Sequence, residues 1–130
     1  MEVLSSRVLL RPRDLAASRT FYEDVLGLRI YREYGVDGRV TGVVYFLGGG
    51  HLELSGSSPD MPAGPDGARL WLQVGDLGAA HAELVAAGWP VDAEPRVMPW
   101  GLHEMTTHDP DGVRLVLVEV PEDHPLRRRL

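Results

Sequence analysis

The sequence predicts an α+β protein made of two tandem βαβββ modules. Three observations carry that expectation: a strand-and-helix unit repeated at an offset of 62 residues, short alternating strands after each copy, and a Ser/Pro/Gly-rich stretch between the copies. The segment from Arg7 (RVLLRPRDLAASRTFYEDVLG) aligns with the segment from Arg69 (RLWLQVGDLGAAHAELVAAG). Arg7 then lies over Arg69, Leu10 over Leu72, Asp14 over Asp76 and Leu15 over Leu77, and Gly27 matches Gly88 with one residue inserted in the first copy.

Each copy opens with a strand. Asp14 and Asp76 are placed as helix N-caps, their carboxylates accepting from first-turn amides. An amphipathic helix follows, closed by Gly27 or Gly88 in the left-handed region. In the first module, residues 29–34 read as a strand, Asp37-Gly38 as a turn, 41–47 as a β-rich run, and 51–55 as a strand after Gly48-Gly49-Gly50. In the second, 91–97 is weakly extended, and 102–108 and 113–120 flank Asp109-Pro110-Asp111-Gly112. Module one is expected at about 5–55, a linker at 56–68 (SGSSPDMPAGPDGA with its flanking serine), module two at about 69–120 and a polar tail at 121–130, all in one domain of 130 residues.

Composition excludes several classes of function. Hydrophobic residues are 44% and charged residues 25%, values of an ordinary globular chain. The absence of cysteine removes disulfides, thiolate metal sites and thiol nucleophiles. All thirteen basic residues are arginine, so no Schiff-base or P-loop lysine exists. Thirteen arginines against nineteen acids give a net charge of -6, which repels phosphate backbones, so no nucleic-acid partner is expected. The one basic run is Arg127-Arg128-Arg129. No apolar run reaches the roughly 20 residues of a membrane span, and the N-terminal residues lack a signal-peptide pattern. The expected location is the cytoplasm.

Taken in order, RPRDLAASRTFYEDVLGL, HLELSG, VGDLGAAHAELVAAG, PWGLHE and DPDGVRLVLVE resemble the vicinal oxygen chelate superfamily, which holds glyoxalases, extradiol dioxygenases and bleomycin-resistance proteins. The resemblance covers nearly the whole chain. It implies modules that curl into a cup of mixed sheet with helices outside, usually in a homodimer. Metal sites of that family draw a ligand from the first and last strand of each module, which here means Arg7, Glu53, Arg69 and Val116. Only Glu53 carries a lone pair suited to a divalent ion, since arginine stays protonated and valine has no donor. The expectation is therefore no metal cofactor, with His51 and Glu53 as the alternative half-site and Glu104, His103 or His108 as sources of a third ligand.

Strand alternation supplies the rest of the lining. With Arg7 and Arg69 inward, so are Leu9, Arg11, Trp71 and Gln73, whereas Val8, Leu10, Leu70 and Leu72 pack on helices. His51 and Ser55 share the face of Glu53, and Arg114 and Val118 that of Val116. A three-residue loop, with Gly112 closing the turn after Asp109-Pro110-Asp111, pairs Asp109 with Val113 and turns Glu104 and Thr106 inward. A two-residue loop would instead present His103 and Met105. Trp100 reads as a pocket rim or a dimer contact, Trp71 as pocket wall or core, Trp89 as structural. His81 reads as solvent-facing, and His124, in the polar tail, as without a functional role.

Two functions follow. The first is a metal-free protein of the bleomycin-resistance type that sequesters or senses a small organic ligand such as an antibiotic, with Arg7, Arg69 and Glu53 as one electrostatic unit. Those three residues serve either as an ion pair or as a ligand clamp, and the roles are compatible. The alternative is a lyase, isomerase or dioxygenase using displaced metal ligands or Glu53 as base. Neighbouring arginines would lower the Glu53 pKa and weaken it in that role.

Overall fold

A computed structural model describes residues 2, 4, 5, 7–57 and 69–125 of the chain. The chain divides into two compact units, Met1–Ala63 and Gly64–Leu130, each holding one βαβββ module. Of the expected linker, only Gly56 and Ser57 fall among the described residues, and the Arg127-Arg128-Arg129 run lies outside them.

Module one comprises β1 (Arg7–Leu10), α1 (Leu15–Arg19) with a π-helical continuation (Thr20–Val25), β2 (Ile30–Val36), β3 (Arg39–Leu47) and β4 (Gly50–Ser55). Its sheet has the order β1-β4-β3-β2, with β1 parallel to β4 and the other pairs antiparallel. Asp14 caps α1 as expected, accepting from the Ala17 amide at 3.3 Å. The residue inserted in the first copy becomes a π-helical turn: the Leu26 amide reaches five residues back to the Phe21 carbonyl at 2.9 Å. That wider turn lets adjacent Phe21 and Tyr22 both bury, their rings edge-on at 4.9 Å, and brings Tyr22 within 6.1 Å of Tyr45 on the sheet. Leu52, Leu54, Val43 and Tyr45 are fully covered on this side.

One polar network fastens the helix to the sheet. Arg19 donates to Glu23 Oε2 at 2.6 Å and to Glu33 at 2.9 Å, and the Tyr45 hydroxyl donates to the same Glu23 oxygen at 2.7 Å. Burial pushes the Glu23 carboxyl up, but the bonds from Arg19 and Tyr45 outweigh it and hold it low. Burial, then the Glu23 carboxylate, raises the Tyr45 phenol.

Val8 shares the face of buried Leu52 as expected but stays 39% exposed. Within its sheet β1 is an edge strand of four residues, paired only with β4.

Module two comprises β5 (Arg69–Gln73), α2 (Leu77–Ala86), β6 (Ala93–Val97), β7 (His103–His108) and β8 (Arg114–Glu119), in the order β5-β8-β7-β6. Asp76 accepts from the Ala79 amide at 3.0 Å, and Glu119 accepts from the Leu77 amide at 2.8 Å, so two carboxylates serve the first turn of α2. Gly27 and Gly88 close their helices at φ +72° and +67°. Leu70, Leu77, Leu84, Met105, Leu115 and Leu117 are buried. The loop after β7 is the three-residue form: the Asp109 amide donates to the Val113 carbonyl at 2.9 Å, and the Asp109 carboxylate accepts from Asp111 and Val113 at 2.8 Å each. Register follows, with Thr106 opposite Val116 and Glu104 opposite Val118.

Candidate functional site

Four strands of module one present two rows of side chains on the sheet face away from the helix. The first row runs Arg7, His51, Phe46, and the second runs Leu9, Glu53, Val44, Arg32. A register shift between Ile30 and Arg32 makes Tyr31 an extra residue in β2, and its ring joins the first row. Tyr31 stands edge-on to Phe46 at 5.0 Å and lies 4.9 Å from His51. Both large rings stay half in solvent, Tyr31 at 51% and Phe46 at 47%.

Beside the rings, Glu53 is held twice. Arg7 Nη1 donates to Oε1 at 2.7 Å and the Tyr34 hydroxyl donates to Oε2 at 2.7 Å. The Tyr34 bond, then the Arg7 bond, keep the Glu53 carboxyl below the usual carboxylate range. Tyr34 is itself raised, first by burial. Its ring lies across Gly42, where any Cβ would overlap it, and the Arg32 guanidinium stacks 5.4 Å from its centroid. Among the described residues, one of the five Arg7 N–H groups is committed, to Glu53.

Arg7, Leu9, His51 and Glu53 thus come together as expected, while Arg11 lies exposed beyond the end of β1. Sequence reading missed Tyr31, Tyr34, Phe46 and Arg32. Alternation along β3 could have placed Phe46 with His51, but the bulge that turns Tyr31 leaves no local signal.

In module two, Trp71, Val116, Thr106 and Ala93 form one row and Gln73, Val118, Glu104 and Arg96 the next. Trp71 is 51% exposed, which removes the core reading. Val116 and Val118 are buried in a cluster with Leu102 and Val120, so they floor this face rather than offer contact area. Trp100 is exposed and its indole donates to Glu104 Oε2 at 2.6 Å. Trp89 is structural, donating to the His108 carbonyl at 2.8 Å. His81, expected to face solvent, is instead half-buried and paired with Glu94 at 2.8 Å, and His124 lies 3.2 Å from the Trp100 carbonyl.

The family's metal positions do not fit a metal here. Two are arginines, one is a buried valine, and the Glu53 carboxylate has both oxygens engaged. The proposed sources of a third ligand to His51 and Glu53 are engaged within module two: Glu104 by Trp100, His103 beside Glu119 at 3.9 Å, and His108 by Asp92 at 2.9 Å. On the helix side of module one a cleft of about 590 Å³ is lined by Asp14, Arg19, Arg39, Thr41 and Ser57 among others. Its Arg19 is already neutralised by Glu23 and Glu33, and the Ser57 hydroxyl accepts from the Leu15 amide at 2.8 Å, so its polar groups serve the fold.

Comparison with known proteins agrees with this architecture. The profile of the Glyoxalase/Bleomycin resistance protein/Dioxygenase superfamily matches residues 5–117, and the chain belongs to that superfamily. Among solved structures, a member of the same superfamily from Sphaerobacter thermophilus is 23% identical, with a TM-score of 0.73 over 92% of this chain and 98% of that one. TnmS3, an antibiotic-binding protein from Streptomyces sp. CB03234, is 22% identical with a TM-score of 0.74, covering 92% and 98%. A lactoylglutathione lyase from Agrobacterium tumefaciens is 20% identical with a TM-score of 0.65, covering 92% and 94%. At these identities the likeness is one of fold. A comparison with curated protein sequences gives no significant match. No helix among the described residues is long and apolar enough to cross a membrane.

Proposed function

We propose that the protein binds a small organic ligand of antibiotic size without a metal centre, holding it by stacking on Tyr31, Phe46 and His51 and by hydrogen bonds from Arg7. The observation that carries this reading is the double capture of Glu53 by Arg7 and Tyr34 directly beside half-exposed rings. A carboxylate so engaged orients the Arg7 fork toward an acceptor oxygen. In module two, Arg69, Trp71, Gln73, Thr106, Glu104 and Trp100 present comparable chemistry on the face that holds Val116, and we assign them to ligand contact as well. The antibiotic-binding neighbour supports the reading by analogy of fold.

The enzyme alternative with Glu53 as base is disfavoured by its lowered pKa, because a carboxylate stabilised by two donors is a weak proton acceptor. We also infer a homodimer in the cytoplasm. The flank of β1 away from β4 and that of β5 away from β8 are unpaired in their own sheets, and such edges are usually covered by association.

Thermal-shift and calorimetric titration of the protein, purified without a metal-affinity step, against polycyclic antibiotics tests the reading. Binding that is indifferent to chelator and lost in Phe46→Ala and Arg7→Met supports it. Stoichiometric zinc, manganese or iron in the purified protein, with binding lost on chelation, overturns it.

A further inference from the structure

Module two is strongly acidic. From residue 69 to 125 it holds ten Asp and Glu against three arginines, a net charge of -7 with neutral histidines. In such surroundings each arginine should find a carboxylate. Among the described residues none of the three makes an ion pair, and two of them, Arg69 and Arg114, are Cα partners in the parallel β5–β8 pair, both exposed. The carboxylates pair with histidines instead, in His81–Glu94, His103–Glu119 and His108–Asp92. Register partners on neighbouring strands stand about 4.8 Å apart, and like charges so placed repel one another.

The next residue across the sheet is His108, the β7 partner of Arg114. Its Nδ1 lies 3.0 and 2.9 Å from the two Asp92 oxygens. A carboxylate accepts only, so Nδ1 carries the proton, and Nε2 of the neutral ring is an acceptor; the donors of this row are the two guanidinium groups. We propose that the Arg69–Arg114 pair is an oxyanion site for a phosphate, sulfonate or carboxylate group. Two guanidinium forks side by side match several oxygens on one centre, and bound anion converts their repulsion into attraction. This site does not depend on the stacking face of module one; it deepens the ligand contact proposed for Arg69 in module two by naming the group that Arg69 would hold.

The test is melting of the full chain in inorganic phosphate against chloride at equal ionic strength. The parent should gain about 3–5 °C at phosphate ten times above its dissociation constant. Arg114→Gln should lose that gain, and in chloride it should melt no lower than the parent because the repulsion is relieved. Phenyl phosphate as a second probe separates an oxyanion carried on an organic molecule from a free one, and a gain with either probe that Arg114→Gln removes supports the site. Arg7→Met should keep the phosphate response, which distinguishes this site from the module-one face. Three results overturn the proposal: no phosphate-specific gain in the parent, an undiminished gain in Arg114→Gln, or a lower melting point for Arg114→Gln in chloride. That last result would mean a structural partner for Arg114.

Discussion

Replacing Glu53 by glutamine probes the centre of the module-one face with almost no change of shape. The amide has one acceptor oxygen in place of two, so either Arg7 or Tyr34 loses its bond, and the charge pairing with Arg7 disappears. The magnitude lies between two limits. An exposed ion pair contributes about 0–1 kcal/mol, and breaking a fully buried one costs about 3–5 kcal/mol. The Glu53 side chain is 16% exposed, but that of Arg7 is 40% exposed, so solvent screens much of the attraction. The expected loss is about 1–2 kcal/mol at neutral pH, or a drop of roughly 3–8 °C in melting temperature. The folded-state pKa of Glu53 is lowered, so its stabilisation is complete above the unfolded carboxylate value and is lost as pH falls through the folded value. Denaturant melts of parent and variant should therefore differ by a constant amount from pH 8 to about 5.5, with the gap closing in the acid range. A gap that persists unchanged to pH 3, or no gap at neutral pH, would refute the idea that the ionised carboxylate is what Arg7 and Tyr34 hold.

Other substitutions test other parts of the fold. Tyr45→Phe removes a fully buried donor to Glu23 and should cost about 1.5–3 kcal/mol in chemical denaturation. Gly42→Ala places a methyl where the Tyr34 ring lies, and should cost about 1–3 kcal/mol in melts while weakening organic-ligand binding by displacing Tyr34 from Glu53. Asp109→Ala strips the buried acceptor from the Asp111 and Val113 amides, and should destabilise by about 2–3 kcal/mol and raise amide exchange at those two positions. Gly88→Ala forces a side chain into φ +67° and should cost about 1–2 kcal/mol in the same melts.

Much of the architecture is legible in the chain because its signals are local. An aspartate before a helix and a glycine after it act within one turn, so Asp14, Asp76, Gly27 and Gly88 mark both helices without reference to the rest of the molecule. The Asp109-Pro110-Asp111-Gly112 loop sets the β7–β8 register by its own length, and that register alone decides that Thr106 and Glu104, rather than His103 and Met105, share the face of Val116. Alternation then sorts Leu52, Leu54, Leu115 and Leu117 from Glu53 and Arg114, since a strand can present only two faces.

What the sequence left open depends on partners distant along the chain. The extra residue in the first helix is visible in the alignment, but burial of Phe21 beside Tyr22, with Tyr22 set against Tyr45, decided that it becomes a π-helical turn. The β2 bulge exists only in pairing with β3, and it alone carries Tyr31 to Phe46 and His51. Tyr34 reaches Glu53 because Gly42, on another strand, leaves its ring room. Likewise, that Arg69 stands beside Arg114 follows from the parallel β5–β8 register, which no turn connects and which the helix and two strands between them must bring about. Residue types and strand faces are thus determined by the sequence itself through short-range geometry. Which side chains touch across strands was decided by tertiary structure, because hydrogen-bond register between segments distant along the chain is a property of the packed sheet.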